Sequence, residues 1–196
     1  MELLSPDFDQ LKKKINYDEV TRKLYDEAIA YADKILLEEF PNEPIKEHGN
    51  AKKINGRYTD KYLGILQEYD TTSWLYERAF RNLAFAFKMT GHRKYLDKFE
   101  EAIDRCLLNP YWGPEESEYD HCSSRILRAL CVSLTWLGSD LSRDHMKRIT
   151  DRIKKEVIGF EKKYSRMGDD YPIGPNDHQS KDLSGAGCAA WFLSKK

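Results

Sequence analysis

Two polar segments carry the residues best suited to chemistry, and each runs straight into a helix-forming stretch. In one, Asn176, Asp177, His178 and Gln179 stand just before a run of small residues at 183–193, with Tyr171 a few positions earlier. In the other, NPYWGPEESEYDH, the residues Trp112, Tyr119 and His121 stand just before CSSRILRALCVSLTWL. Unpaired backbone N–H groups at a helix N-terminus favour anions. Aromatic rings can stack on pyranose faces while the helix dipoles hold carboxylates. Gathered at one place, these residues would suit an acidic polysaccharide or oligosaccharide.

Each residue also has a simpler reading. His121 follows Asp120 at a helix start, where capping fits as well as substrate contact. Trp112 is either a sugar platform or a hydrophobe that anchors its loop. Arg125 and Arg128 interrupt an otherwise apolar helix, so they either bind a ligand's carboxylates or pair with buried acids. His178 near a helix start also fits a solvent-facing loop. Glu115, Glu116 and Asp169 could serve a glycoside hydrolase, but nothing picks out a carboxylate pair. Asp169, Asp170, Asp177 and His178 are close in sequence, yet Pro172, Gly174 and Pro175 intervene and no standard ligand spacing appears. Neither a metal nor a cofactor is expected. The four cysteines (106, 122, 131 and 188) lack metal-type spacing and read as small buried hydrophobes.

The elements that must position these residues are helical. Residues 17–38 carry Val20, Leu24, Ala28, Tyr31 and Ile35 at helical spacing. The stretch 41–64, rich in Pro, Gly and Asn, reads as a long loop, with helix resuming at Thr72. Residues 74–87 are apolar on nearly every side. Residues 93–108 are amphipathic, with Tyr95, Phe99, Ala102, Ile103 and Cys106 on one face. Residues 122–137 are again apolar almost all round. Gly138 ends that helix and Ser142 caps the next. Residues 143–164 are amphipathic, with a stripe of Met146, Ile149, Ile153, Val157, Phe160 and Tyr164.

A helix apolar all round is buried on both sides, whereas an amphipathic one faces solvent. The order buried, exposed, buried, exposed, buried predicts an all-α fold of two helical layers. The expected form is an incomplete (α/α) toroid of helical hairpins, with an α-solenoid-like hairpin array as the alternative. The whole chain, 1–196, is expected to be one α-helical domain. In antiparallel hairpins the links LQEYDTT, NPYWGPEESEYDH and YPIGPNDHQSK would share one mouth.

Composition adds bounds. In 196 residues, 32 Lys+Arg nearly cancel 33 Asp+Glu, so nothing argues for a nucleic-acid or membrane-surface partner. No apolar run approaches the roughly 20 residues that span a bilayer. The N-terminal stretch does not read as a signal peptide. The default location is therefore cytoplasmic, or periplasmic or secreted if a leader has been removed.

Three segments resemble a known family. YDTTSWLYERAFRNLAFAFKMTGHRKYLDKFEEAI is similar to the early hairpin of heparinase II/III-like polysaccharide lyases and the related oligoalginate lyases. WGPEESEYDHCSSRILRALCVSLTWLGSDLSRDHMKRI resembles their next hairpin. PNDHQSKDLSGAGCAAWFL resembles their Asn-Asn-His segment and Gly/Ala-rich helix. The resemblance covers roughly residues 65–193 and implies a carbon–oxygen lyase that cleaves uronic-acid-containing glycans of heparin, heparan or alginate type by β-elimination. Such chemistry neutralises the uronate carboxylate, removes the C5 proton and protonates the leaving oxygen. The resemblance places His178 and Asn176 as catalytic residues, with Asp177, Gln179, His121, Trp112, Tyr119, Arg125 and Tyr171 as substrate-binding candidates. Asp177 departs from the family's second asparagine, since an ionised carboxylate would repel the uronate where an amide would donate to it. The family's tyrosine would fall beyond Lys196. A closed toroid with its usual β-sandwich needs far more chain than this. The alternative is therefore a truncated or degenerate, non-catalytic toroid domain that binds glycan or a partner. Its apolar edge at Ala186, Ala189, Ala190 and Leu193 would favour self-association.

Overall fold

The computed structural model describes residues 6–45, 53–55, 57–114, 121–167 and 177–195, with the backbone alone at 53, 54, 166, 167 and 177–179. These residues form seven α-helices: α1 (Phe8–Ile15), α2 (Glu19–Ile35), α3 (Asp60–Thr90), α4 (Arg93–Leu108), α5 (His121–Leu137), α6 (Arg143–Met167) and α7 (Asp177–Leu193). The fold is all-α. Its only described strands are β1 (Lys53–Ile54) and β2 (Arg57–Tyr58), a two-residue antiparallel pair before α3.

Short polar side chains set the helix starts. Asp7, Asp18 and Thr59 accept hydrogen bonds from the backbone N–H of Gln10, Thr21 and Tyr62. Ser142 does the same for His145 at 3.1 Å, as the sequence predicts. Gly91, with φ of 71°, closes α3 in the left-handed region that glycine adopts without steric cost.

Helices α3, α5 and α7 lie side by side in chain order. Helix α4 packs on α3, and α6 packs on α4, α5 and α7. The core between them holds Tyr76, Phe80, Leu83, Phe99, Ile103, Leu127, Leu130, Ile149, Ile153 and Phe160, all buried. Every face residue expected on α4 is buried. The middle of the α6 stripe is buried too, and it also carries the buried acid Glu156. All four cysteines are free thiols, three of them buried. Burial raises the pKa of Cys106 and Cys131 and keeps them protonated.

The small residues of α7 serve a close helix crossing. A Cβ on Gly185 would meet the Ser124 backbone at 2.6 Å, so only glycine lets α7 approach α5 this closely. The Gly185 N–H donates to Ser124 Oγ at 3.1 Å, and that hydroxyl donates in turn to the Lys181 carbonyl. The opposite flank of α7 is open, with Leu183, Gly187 and Ala190 exposed, while Ala186 and Leu193 are half-buried and Ala189 is buried.

Four sequence expectations need correction. The 41–64 loop ends earlier than expected, because α3 begins at Asp60. Tyr62, Ile65 and Tyr69 extend its buried face a full helix length before Thr72. LQEYDTT is therefore part of a helix and not a link at the mouth. Helix α1 went unpredicted; Phe8 ties it to Phe85 and Trp136. The first half of the α2 stripe is not core, for Val20 and Leu24 are 68% and 62% exposed and only Ala32 and Ile35 are buried. Finally, α7 starts at Asp177, six residues before the small-residue run.

Candidate functional site

Helices α3 and α5 meet along two matching polar faces. Asp70, Ser73 and Glu77 fall at helical spacing on one face of α3, and His121, Arg125 and Arg128 do so on α5. Arg125 Nη1 donates to Asp70 Oδ1 at 2.9 Å and also to Ser73 Oγ. Its Nε lies 3.6 Å from Glu77 Oε2. Arg128 Nη2 donates to Glu77 Oε1 at 3.0 Å, and Arg81 Nη1 reaches the same oxygen at 3.3 Å. Three guanidinium groups thus surround two carboxylates, which leaves the patch positive. The Arg125 guanidinium also lies 4.1 Å from the centre of the Trp74 ring, a stacking contact that orders both groups.

Beside this network lies an open cleft of about 370 Å³, lined by Ala28, Trp74, Arg78, Arg81, Phe85 and Trp136 among others. Trp74, Arg78, Arg81 and Phe85 recur on one solvent-facing side of α3, and Trp136 comes from α5. Trp74 is 49% exposed. The cleft therefore presents aromatic rings and arginine side chains together, with the carboxylate of Glu77 among them.

The start of α7 approaches the same place. Asp182 is buried, with its carboxylate 3.1 Å from Lys163 Nζ and 3.2 Å from the Tyr164 hydroxyl, which donates to it. Burial raises the Asp182 pKa, while Lys163, Tyr164 and the nearby His121 pull it down. His121 Nε2 lies 3.4 Å from Asp70 Oδ1 and 3.6 Å from Cys122 Sγ.

These positions sort the sequence candidates. His121 and Arg125 are brought together, and Arg125 pairs with acids of α3 instead of standing free for a ligand. Trp112 is not a sugar platform. It is 2% exposed, its indole N–H donates to the Cys106 carbonyl at 3.2 Å, and Arg152 covers its ring. Asp177, His178 and Gln179 form the first turn of α7, and their side chains lie outside the described part. Asn176, Tyr119 and Tyr171, and with them Glu115, Glu116, Asp169 and Asp170, lie outside the described residues. Sequence reasoning missed Asp70, Glu77, Trp74, Arg78, Arg81 and Trp136. Their signal was the recurrence of Trp74, Arg78, Arg81 and Phe85 on one helical face, where a purely buried helix would carry no arginine. No known protein family matches the chain, and no curated protein matches it in sequence.

Proposed function

We propose that this chain binds an acidic, uronate-bearing glycan along the α3–α5 cleft and belongs to the helical part of a lyase that cleaves such glycans by β-elimination. The observation that carries the reading is the cleft's lining, in which Trp74, Phe85 and Trp136 stand with Arg78, Arg81 and the acid Glu77. Arg81 pairs with Glu77 and Arg78 lies 4.0 Å from Glu38, yet both arginine side chains stay exposed. Aromatic rings fit the apolar faces of pyranoses, and guanidinium forks bind carboxylates in two-point contacts. The side-by-side α3, α5 and α7, covered by α4 and α6, are compatible with the toroid arrangement and equally with a solenoid-like hairpin array.

In the elimination itself, a base removes the C5 proton. The freed electron pair forms the C4–C5 double bond, and the C4–O bond breaks as its oxygen takes a proton. Arg128 is half-exposed and shares Glu77 with two other arginines, so it retains free donors that could neutralise the uronate carboxylate. His178, in the first turn of α7, takes the role of base or electrostatic partner.

The test is absorbance of the conjugated unsaturated uronate during incubation with heparan, chondroitin, hyaluronan and alginate. A rise that His178→Ala abolishes is expected. Saturable binding without a rise would drop the elimination and leave a glycan-binding domain. Neither binding nor a rise on any of the four would overturn the reading.

A further inference from the structure

The His121 end of the network holds a second kind of site. Asp70, His121 and Cys122 each offer one ligand atom, and the three atoms lie within 4.8 Å of one another. The His121 Nε2 to Cys122 Sγ separation is 3.6 Å and the His121 Nε2 to Asp70 Oδ1 separation is 3.4 Å. Zinc bonds of about 2.0 Å to nitrogen or oxygen and about 2.3 Å to sulfur put neighbouring ligands of one tetrahedron roughly 3.5 Å apart. The His121–Cys122 and His121–Asp70 pairs already stand at that spacing, and the Asp70–Cys122 pair lies within 4.8 Å.

The surroundings suit coordination. Cys122 is buried in a small apolar cluster with Ile45, Ile65 and Tyr69, which fixes the sulfur in place. Asp70 and His121 are partly exposed, so an ion has a route in from solvent. Arg125 holds Asp70 through Oδ1. This is the oxygen that faces His121; it has a second lone pair, which leaves room for a metal while Arg125 holds the carboxylate.

We propose that Asp70, His121 and Cys122 bind a divalent transition ion of zinc type, with a fourth position open to water. The thiolate and imidazole select zinc or cobalt over magnesium or calcium. On binding, the Cys122 S–H proton passes to solvent as the metal–sulfur bond forms, so affinity rises with pH. The ion would tie α3 to the start of α5. Local ligand spacing cannot reveal such a site, because Asp70 comes from a helix far earlier in the chain.

The experiment is titration of the full chain, freed of metal by a chelator and desalted, with Co²⁺. One equivalent should produce a thiolate-to-cobalt charge-transfer band with tetrahedral d–d bands, both displaced by Zn²⁺. Cys122→Ser should remove the charge-transfer band. His121→Ala and Asp70→Asn should each weaken binding by at least about tenfold, and Cys188→Ser should leave it unchanged. Circular dichroism checks that each variant folds. If Cys122→Ser does not fold, the His121 and Asp70 variants decide the matter. No charge-transfer band in the parent, a band that survives Cys122→Ser, or one that Cys188→Ser removes would overturn the site. No glycan takes part, so failure here leaves the proposed function standing.

Discussion

Two tryptophan–arginine–carboxylate arrangements sit in different parts of the molecule, and their chemistry is nearly the same. On the α4–α6 side, Arg152 lies 4.3 Å from the centre of the Trp112 ring and donates to Glu156 at 2.6 Å. On the α3–α5 side, Arg125 stacks on Trp74 and pairs with Asp70 and Glu77. The first is closed. Trp112 and Glu156 are each 2% exposed, and Arg152 Nη1 donates to the Asn109 carbonyl at 2.7 Å. The second is open, with Trp74, Arg128 and Asp70 all partly in solvent. The closed arrangement turns Nε and Nη1 of Arg152 onto its own chain and pins a loop. The open one leaves the Trp74 ring and the Arg128 guanidinium partly in solvent. Exposure, not residue type, separates the structural cluster from the candidate binding site.

The sharpest way to break this comparison is to remove one arginine from each side. Burial raises the Glu156 pKa, while Arg152 pulls it the other way. Arg152→Ala leaves the acid without its partner in the core and uncovers Trp112. We expect a loss of about 3–5 kcal/mol, read as a lower urea midpoint. Arg128→Ala should cost no more than about 1 kcal/mol, because Arg128 is half-exposed and Glu77 keeps Arg125 and Arg81. Equal losses would erase the distinction between the two sides.

A smaller effect separates stability from binding. Trp74→Ala removes a half-exposed ring from the edge of the cleft. The expected cost in stability is about 1 kcal/mol, well under the roughly 3–5 kcal/mol typical of emptying a buried aromatic site such as that of Trp112. Affinity for a uronate oligosaccharide should fall by about tenfold, or about 1.4 kcal/mol, by isothermal titration calorimetry. A Trp74 variant that loses stability as a Trp112 variant does, with unchanged affinity, would make Trp74 a core residue after all.

The same contrast explains what the sequence made legible. Periodicity located α4 to the residue and α5 within one residue, because their apolar faces are continuous and end at Asn109 and Gly138. The early start of α3 was harder to see. Gly64 and the Thr71–Thr72 pair weigh against helix by propensity, and burial of Tyr62, Ile65 and Tyr69 outweighs them. At the site, type and spacing picked out Arg125 as a polar residue on an apolar helix and His121 as a candidate at that helix's start. Their partners Asp70 and Glu77 lie on another helix far earlier in the chain, where no local pattern joins them. Trp112 and Trp74 show the limit most clearly. Both are tryptophans near charged residues, and only the tertiary packing decides that one is covered and the other is not.

The smallest effect concerns Asp182, which lies at the seam between the two sides, with Lys163 of α6 as its ion-pair partner and His121 of α5 nearby. Burial is the largest influence on this carboxyl and raises its pKa. Folding therefore takes up a proton here. The stability this group contributes is full below the unfolded carboxylate value of about 3.9, and it is lost as pH rises through the raised folded value. The substitution Asp182→Asn keeps an acceptor oxygen for Lys163 and Tyr164 without a charge to bury, and so removes that loss. Urea unfolding of parent and variant from mildly acidic to neutral pH should show the difference moving in the variant's favour as pH rises. Movement in the parent's favour would mean that Lys163 outweighs burial, and the seam would then behave as a true ion pair belonging to the closed side.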